Sequence, residues 1–243
     1  RFPTLIAIIS MFFVGVSGGA FDSMLSALLL TLFIVLGVCM TFAVSKVLSM
    51  TVLKGIPSSF TLELPPYRRP QIGKVIVRSI FDRTLFVLGR AIAVAAPAGL
   101  LIWIMANVQL DGITLLAHFS GFLDPFARLL GMDGVILMAF ILGLPANEIV
   151  IPIIIMAYMA QGSLLEFDSL AQLRDLLVNN GWTWITAVST MLFSLMHWPC
   201  TTTLLTIRKE SGSLKWTVMS FLVPTVCAVV LCFAFATVAR MFV

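Results

Sequence analysis

Apolar residues run along this chain in blocks of bilayer length, and the blocks differ in how they are interrupted. A helix that crosses a membrane needs about 20 predominantly apolar residues. Four blocks reach that length unbroken: Pro3 to Phe21, Ser23 to Leu48, Leu85 to Val108 and Leu214 to Ala239. Two more are apolar but broken, Gly134 to Ala160 at Pro145 and Trp182 to Ile207 at His197, Trp198, Pro199 and Cys200. Three shorter segments have helical spacing without the length or purity to cross. Lys74 to Thr84 mixes basic with apolar positions, and Leu115 to Leu130 sets Leu116, Phe119, Leu123, Phe126 and Leu130 near one face. Leu164 to Leu177 repeats leucine at helical intervals. These read as helices lying in the interface plane, with ordinary loop helices packed on the protein as the competing reading.

Composition sharpens the class. At 60% hydrophobic and 11% charged residues over 243 positions, the chain is too apolar for a soluble domain, whose apolar share is about one half. It is predicted to be an all-α, polytopic transmembrane helix bundle. Its four cysteines, Cys39, Cys200, Cys227 and Cys232, lie in apolar segments without paired spacing, so no disulfide framework is indicated. A net charge of +4 reports basic residues gathered on the cytoplasmic side rather than a nucleic-acid partner.

Charge also orients the chain. Lys46, Lys54, Arg68, Arg69, Lys74, Arg78 and Arg83 stand against only Glu63 and Asp82, which places this segment in the cytoplasm. The third crossing then leads outward, so Asp111, Asp124 and Asp133 lie outside. If Gly134 to Ala160 crossed fully, Glu166, Asp168 and Asp175 would be cytoplasmic and Arg208, Lys209 and Lys215 external, against the charge rule. A re-entrant hairpin turning back at Pro145 puts both groups on their preferred sides. Its arms of about 11 to 14 residues match half a bilayer at roughly 1.5 Å per residue. Arg90, within the third crossing, snorkels or pairs with a buried acid such as Asp82.

The interruptions carry the candidate chemistry. Gly143-Leu144-Pro145-Ala146-Asn147-Glu148 places a helix breaker and a carboxylate inside a stretch of lipid-grade hydrophobicity. Pro145 removes a backbone donor and clashes with the preceding turn, while Gly143 permits the close or unusual backbone of a hairpin tip. Freed carbonyls survive at that depth only when buried in protein or lining a wet cavity. Asn147 is suited to cap the returning half-helix, with Glu148 in its first turn. A cap and nothing more is one reading of this pair, and a polar site is the other. In Met196-His197-Trp198-Pro199-Cys200-Thr201-Thr202-Thr203, Pro199 disfavours helix at Trp198 and gathers imidazole, thiol and hydroxyl groups beside a second break.

Unwound segments that face one another at the midplane are how secondary transporters bind their cargo. Cys200 is the leading ligand candidate, since a thiolate suits a borderline metal such as Fe(II). His197 reads either as a ligand or as a hydrogen-bonded helix-end residue. Cys39, Cys227 and Cys232 read as packing residues, and His118 as incidental. No phosphate loop, metalloprotease helix, nucleophile elbow or dinucleotide fingerprint is present.

Four strings resemble the C-terminal membrane portion of the bacterial ferrous iron transport protein B family: Pro65-Pro66-Tyr67-Arg68-Arg69-Pro70, Asp82-Arg83-Thr84 on to Gly89-Arg90-Ala91, Gly143 to Val150, and His197 to Thr203. The resemblance implies a gate segment similar to half of a concentrative nucleoside transporter. It divides the chain into two transmembrane helices at 1–48, a cytoplasmic linker with an amphipathic helix at 49–84, and a gate-type transport segment at 85–243. That segment comprises a helix, a re-entrant hairpin at 132–160, an interfacial helix, a broken helix at 182–207 and a final helix at 214–240. The family's N-terminal GTP-binding domain and first gate segment are expected to be missing partners of this chain.

The implied role is Fe(II) transport across the bacterial cytoplasmic membrane by a multi-pass protein. Fe(II) is then the transported ion, the lipid bilayer a partner, and no cofactor is permanently bound. By resemblance, Cys200 and Glu148 take metal-interacting roles; Asn147 and His197 complete the candidate metal set, and Gly143, Pro145 and Pro199 mark the breaks. A nucleoside or another divalent metal as cargo, or a non-transporting anchor or regulatory module, are the alternatives. Homo-oligomerisation stays open.

Overall fold

The computed structural model describes residues 2–13, 20–51, 71–78, 81, 85–110, 112–159 and 170–242, nearly all of them helical. The chain divides into two compact units, one of Arg1–Phe33 with Val94–Val243, the other of Ile34–Ala93. In the smaller unit the described structure is the end of α2 (Ala20–Thr51), the short α3 (Ile72–Arg78) and the start of α4 (Phe86–Asn107). The stretch Ser23–Thr51 of α2 is long and apolar enough to cross a membrane. Four of its hydroxyls bond within the helix: Thr31, Thr41, Ser49 and Thr51 donate to the carbonyls of Ala27, Gly37, Ser45 and Val47. A helix in hydrocarbon requires this, because no water is there to serve those groups. The basic strings at 65–70 and the Asp82–Arg90 pairing lie outside what is described.

The larger unit holds the hairpin and the broken helix. Its first helix, α1 (Phe2–Phe12), buries Leu5, Ile8, Ile9 and Met11 against α8 (Leu170–Asn179) and α9 (Trp184–Met196). The expected first crossing to Phe21 is helical only as far as Phe12, residues 14–19 lie outside the described structure, and Ala20 and Phe21 open α2. After α4 the chain makes a two-residue strand pair, β1 (Gln109–Leu110) with β2 (Ile113–Thr114), which an all-helical reading does not anticipate. Gly112 takes φ +80 there, so Asp111-Gly112 between apolar neighbours is the turn signal.

Thr114 then caps α5 (Leu115–Leu129), its side chain accepting from the Ala117 N–H. The inward face of α5 carries Leu116 and Ala127; Phe126, expected on it, is exposed, because Ala127 takes that position one residue later. The chain bends by 109° between α5 and α6 (Gly134–Leu142). A side chain at Gly134 would place its Cβ 2.0 Å from the Ser120 carbonyl, so glycine alone allows this crossing.

α6 is short and almost wholly buried, with Ile136, Met138, Ala139 and Phe140 closed to solvent. Nine residues rise about 13.5 Å, less than half of the roughly 30 Å hydrocarbon core. A turn at residues 143–146 and one 3-10 turn, Asn147–Ile149, lead into α7 (Val150–Tyr158), which packs back on α6. The two arms form a hairpin. Its feet are tied by polar groups: Asp133 caps α6 by accepting the Ile136 N–H and also accepts the Tyr158 hydroxyl at the end of α7. The Trp182 indole N–H donates to that same hydroxyl at 2.8 Å, and the Trp182 ring stacks on Phe12 of α1. Beside them, Asp124 accepts the Gly134 N–H at 3.0 Å and the Arg128 Nε–H at 2.5 Å.

The broken helix consists of α9 and α10 (Thr201–Ser211), followed by α11 (Leu214–Arg240), the second helix long and apolar enough to cross a membrane. α11 packs along both α9 and α10. The expected leucine-rich helix from Leu164 is described only from Leu170, as α8.

Candidate functional site

Both interruptions fall where the prolines place them. Pro145 offers no N–H and excludes helical geometry just before it, and the backbone at Ala146 is extended at φ −149, ψ 116. Gly143 has an ordinary φ of −75, so its value is space and not conformation. An added Cβ would lie 2.7 Å from Val150 Cγ2 and 2.8 Å from the Ala139 carbonyl. Pro199 acts at longer reach, since α9 ends at Met196 and the chain is extended at His197 and Cys200 before α10 begins.

The two breaks meet. The Leu144 carbonyl, released from its helix, accepts the Thr201 N–H at 3.0 Å and the Thr201 hydroxyl at 3.3 Å. A carbonyl of the hairpin tip thus serves an orphan donor at the start of α10, whose N-cap residue Cys200 makes no side-chain capping bond. Three residues along, the Asn147 amide lies 3.2 Å from His197 Nε2. Asn147 therefore does not cap the returning helix, as its position suggested; the 3-10 turn and α7 begin without side-chain caps, and the amide bridges the gap instead.

His197 is 1% exposed and held from behind. Its Nδ1 lies 3.1 Å from the Phe193 carbonyl and 2.9 Å from that of Ser194, so Nδ1 carries a proton and donates. On the other side of the ring, Nε2 faces the side-chain oxygen of Asn147. The Phe140, Phe193 and Trp198 rings lie 5.0, 6.0 and 5.7 Å from the imidazole, so aromatic rings pack around it.

Cys200 and Glu148 stand at the rim. The Cys200 sulfur lies 3.1 Å from the hydroxyls of both Thr202 and Thr203, in the first turn of α10. Glu148 is exposed on the 3-10 turn of the tip. The structure thus joins Asn147 to His197 and Leu144 to Thr201. It leaves Cys200 with its threonines and Glu148 on the outer side. Among the described residues, no three His, Cys, Asp or Glu side chains converge closely enough to hold a metal ion by themselves. The Leu144 carbonyl was hidden from sequence reasoning, because any of several freed carbonyls could have faced the second break; the signal was Thr201, a hydroxyl placed first in the helix after Pro199.

Comparison with known proteins fits this geometry. Residues 88–214, more than half of the chain, match the family model Gate, described as nucleoside recognition. Residues 30–82 match the model described as the ferrous iron transport protein B C terminus. The chain belongs to the Gate family. This Gate-family chain is 31% identical over 219 residues to the Fe(2+) transporter FeoB of Staphylococcus aureus (strain MSSA476), covering 86% of this chain and 31% of that protein. It is 25% identical over 223 residues to the Fe(2+) transporter FeoB of Campylobacter jejuni, covering 85% of this chain and 35% of that protein. To the Fe(2+) transporter FeoB of a Synechocystis species it is 30% identical over 198 residues, 80% of this chain and 31% of that protein. It spans about a third of the length of the curated relatives it matches. No solved structure matches it. The Gate match opens within α4 and closes at the first residue of α11, so it contains the hairpin and both breaks.

Proposed function

We propose that the facing breaks form part of a path for ferrous iron across the bacterial cytoplasmic membrane, in a multi-pass protein completed by a GTP-binding domain and a first gate segment. The observation that carries this reading is the bonding of one interruption to the other, Leu144 to Thr201 and Asn147 to His197. Two helix ends that merely terminate have no reason to share donors and acceptors across the bundle interior.

His197 is oriented as metal-binding imidazoles are, one nitrogen donating to backbone carbonyls and the other turned outward. That outward nitrogen is the one Asn147 holds. An arriving ion therefore competes with the amide, and binding and unlatching are one event. The Cys200 thiolate supplies a soft donor and gives up its proton on binding, while Glu148 offsets part of the double positive charge. The Leu144 carbonyl and the hydroxyls of Thr201, Thr202 and Thr203 offer the remaining oxygen ligands.

Replacing Cys200 by Ser or Glu148 by Ala is expected to abolish radioiron uptake by the full-length protein while leaving its insertion in the membrane intact. Uptake at the parent rate by both variants would end the assignment. The Gate description favours one second reading, a nucleoside as cargo. Sugar hydroxyls call for several amide and acidic groups, and the tip offers Asn147 and Glu148, so the metal is the better fit.

A further inference from the structure

Residues of the hairpin tip divide between two neighbours. Leu144 and Asn147 bond to the second break. Pro145, Ala146 and Ile149 line a cavity of about 460 Å³, and Ala95, Ala98 and Gly99 of α4 form part of its other wall. That volume equals that of a small-molecule site, many times the roughly 30 Å³ share of one water. Its lining is predominantly apolar, unlike the polar sites that hold ordered water. The three α4 residues fall at the i, i+3, i+4 spacing of one helix face, and their small size is what leaves the room.

The hairpin is bonded to its surroundings at both ends. Its feet are tied through Asp133, Tyr158 and Trp182, and through Asp124 to the start of α6. Its tip is held by the two bonds to Leu144 and the single contact of Asn147 with His197. We propose that the cavity beside α4 receives the hairpin tip, residues 144–149, when the gate opens. This rests on the reading of the two breaks as the metal path. In the open arrangement Pro145, Ala146 and Ile149 seat against Ala95, Ala98 and Gly99, apolar on apolar. The polar groups that lose partners are the Leu144 carbonyl, the Asn147 amide and His197 Nε2, which the path needs exposed.

The test is Gly99→Leu, which fills the cavity. An added Cβ at Gly99 meets nothing within 4 Å, and leucine favours a helix more than glycine, so the fold is kept. Gly89→Leu is the control: it lies in the same helix, is equally open, and does not line the cavity. Spin labels on unnatural amino acids at position 148, exposed on the tip and outside the cavity lining, and at position 207 report the tip in metal-free, full-length protein, with Cys200 retained; uptake is read on the unlabelled proteins.

The parent is expected to show two distance populations and Gly99→Leu only the shorter, with iron uptake lost and the melting temperature unchanged or raised. Gly89→Leu should match the parent throughout. If Gly99→Leu lowers the melting temperature, Ala98→Leu takes its place in the same comparison. A single population in the parent, or a parent-like distribution and uptake in the filled variants, overturns the proposal. Two populations in a parent that takes up no iron would end the metal reading and leave the tip movement standing.

Discussion

Single residues at the hairpin are constrained for different reasons, and substitutions separate them. At Gly134 the constraint is contact with the Ser120 carbonyl, a backbone atom that cannot turn aside. Gly134→Ala is therefore expected to cost about 1–3 kcal/mol, the usual range for overpacking. Gly121→Ala, at an open site within α5, should be neutral or gain up to about 1 kcal/mol from helix propensity. Melting of the purified protein reads both; equal effects would remove the argument from contact. Gly143 and Asn147 show how far residue-level reading reaches. Their positions at a break were legible because proline dictates the break, and close approach was one of the two reasons considered for Gly143. The role of Asn147 was not legible, since an amide at a helix start looks the same whether it caps its own turn or spans to a histidine 50 residues away.

Among elements, the hairpin was legible because an apolar block with a central proline and misplaced loop charges cannot be one straight crossing. The tie at its feet was not. Asp133, Tyr158 and Trp182 are 25 and 24 residues apart along the chain, and each alone resembles an ordinary residue at a membrane border. Helical phase misled at α5, where Phe126 is exposed and Ala127 buried: both lie near one apolar stripe, and a single step of about 100° decides between them. Tyr158→Phe removes both bonds of the hydroxyl and leaves the Trp182 N–H and one Asp133 oxygen without it. The expected loss is about 1–3 kcal/mol, with faster amide exchange at both ends of the hairpin and unchanged exchange in α11. Exchange that accelerates only at the tip would show that the feet are held by packing instead.

At the scale of the molecule, the described helices sort by what surrounds them. α2 and α11 present apolar side chains outward along most of their length, only 6% and 11% of their spanning windows being buried, as suits helices bathed in lipid. α6 is the reverse: apolar on every side and enclosed by protein, with Phe140 packed on Phe193 and His197 of the broken helix. Sequence hydrophobicity does not distinguish the two situations, which is why length and interruption had to serve.

The enclosure bears on biogenesis. A nine-residue helix is too short to be held by lipid as an independent segment; α5, its most extensive neighbour, is synthesised before it, while α7 and the aromatic contacts of Phe140 with Phe193 and His197 come after it. Chains truncated before Trp184 and released into membranes are thus expected to leave residues 134–158 more open to protease than chains that include α9 to α11. Protection already present in the shorter chains would mean that this helix is seated by its earlier neighbours alone, before its final walls exist.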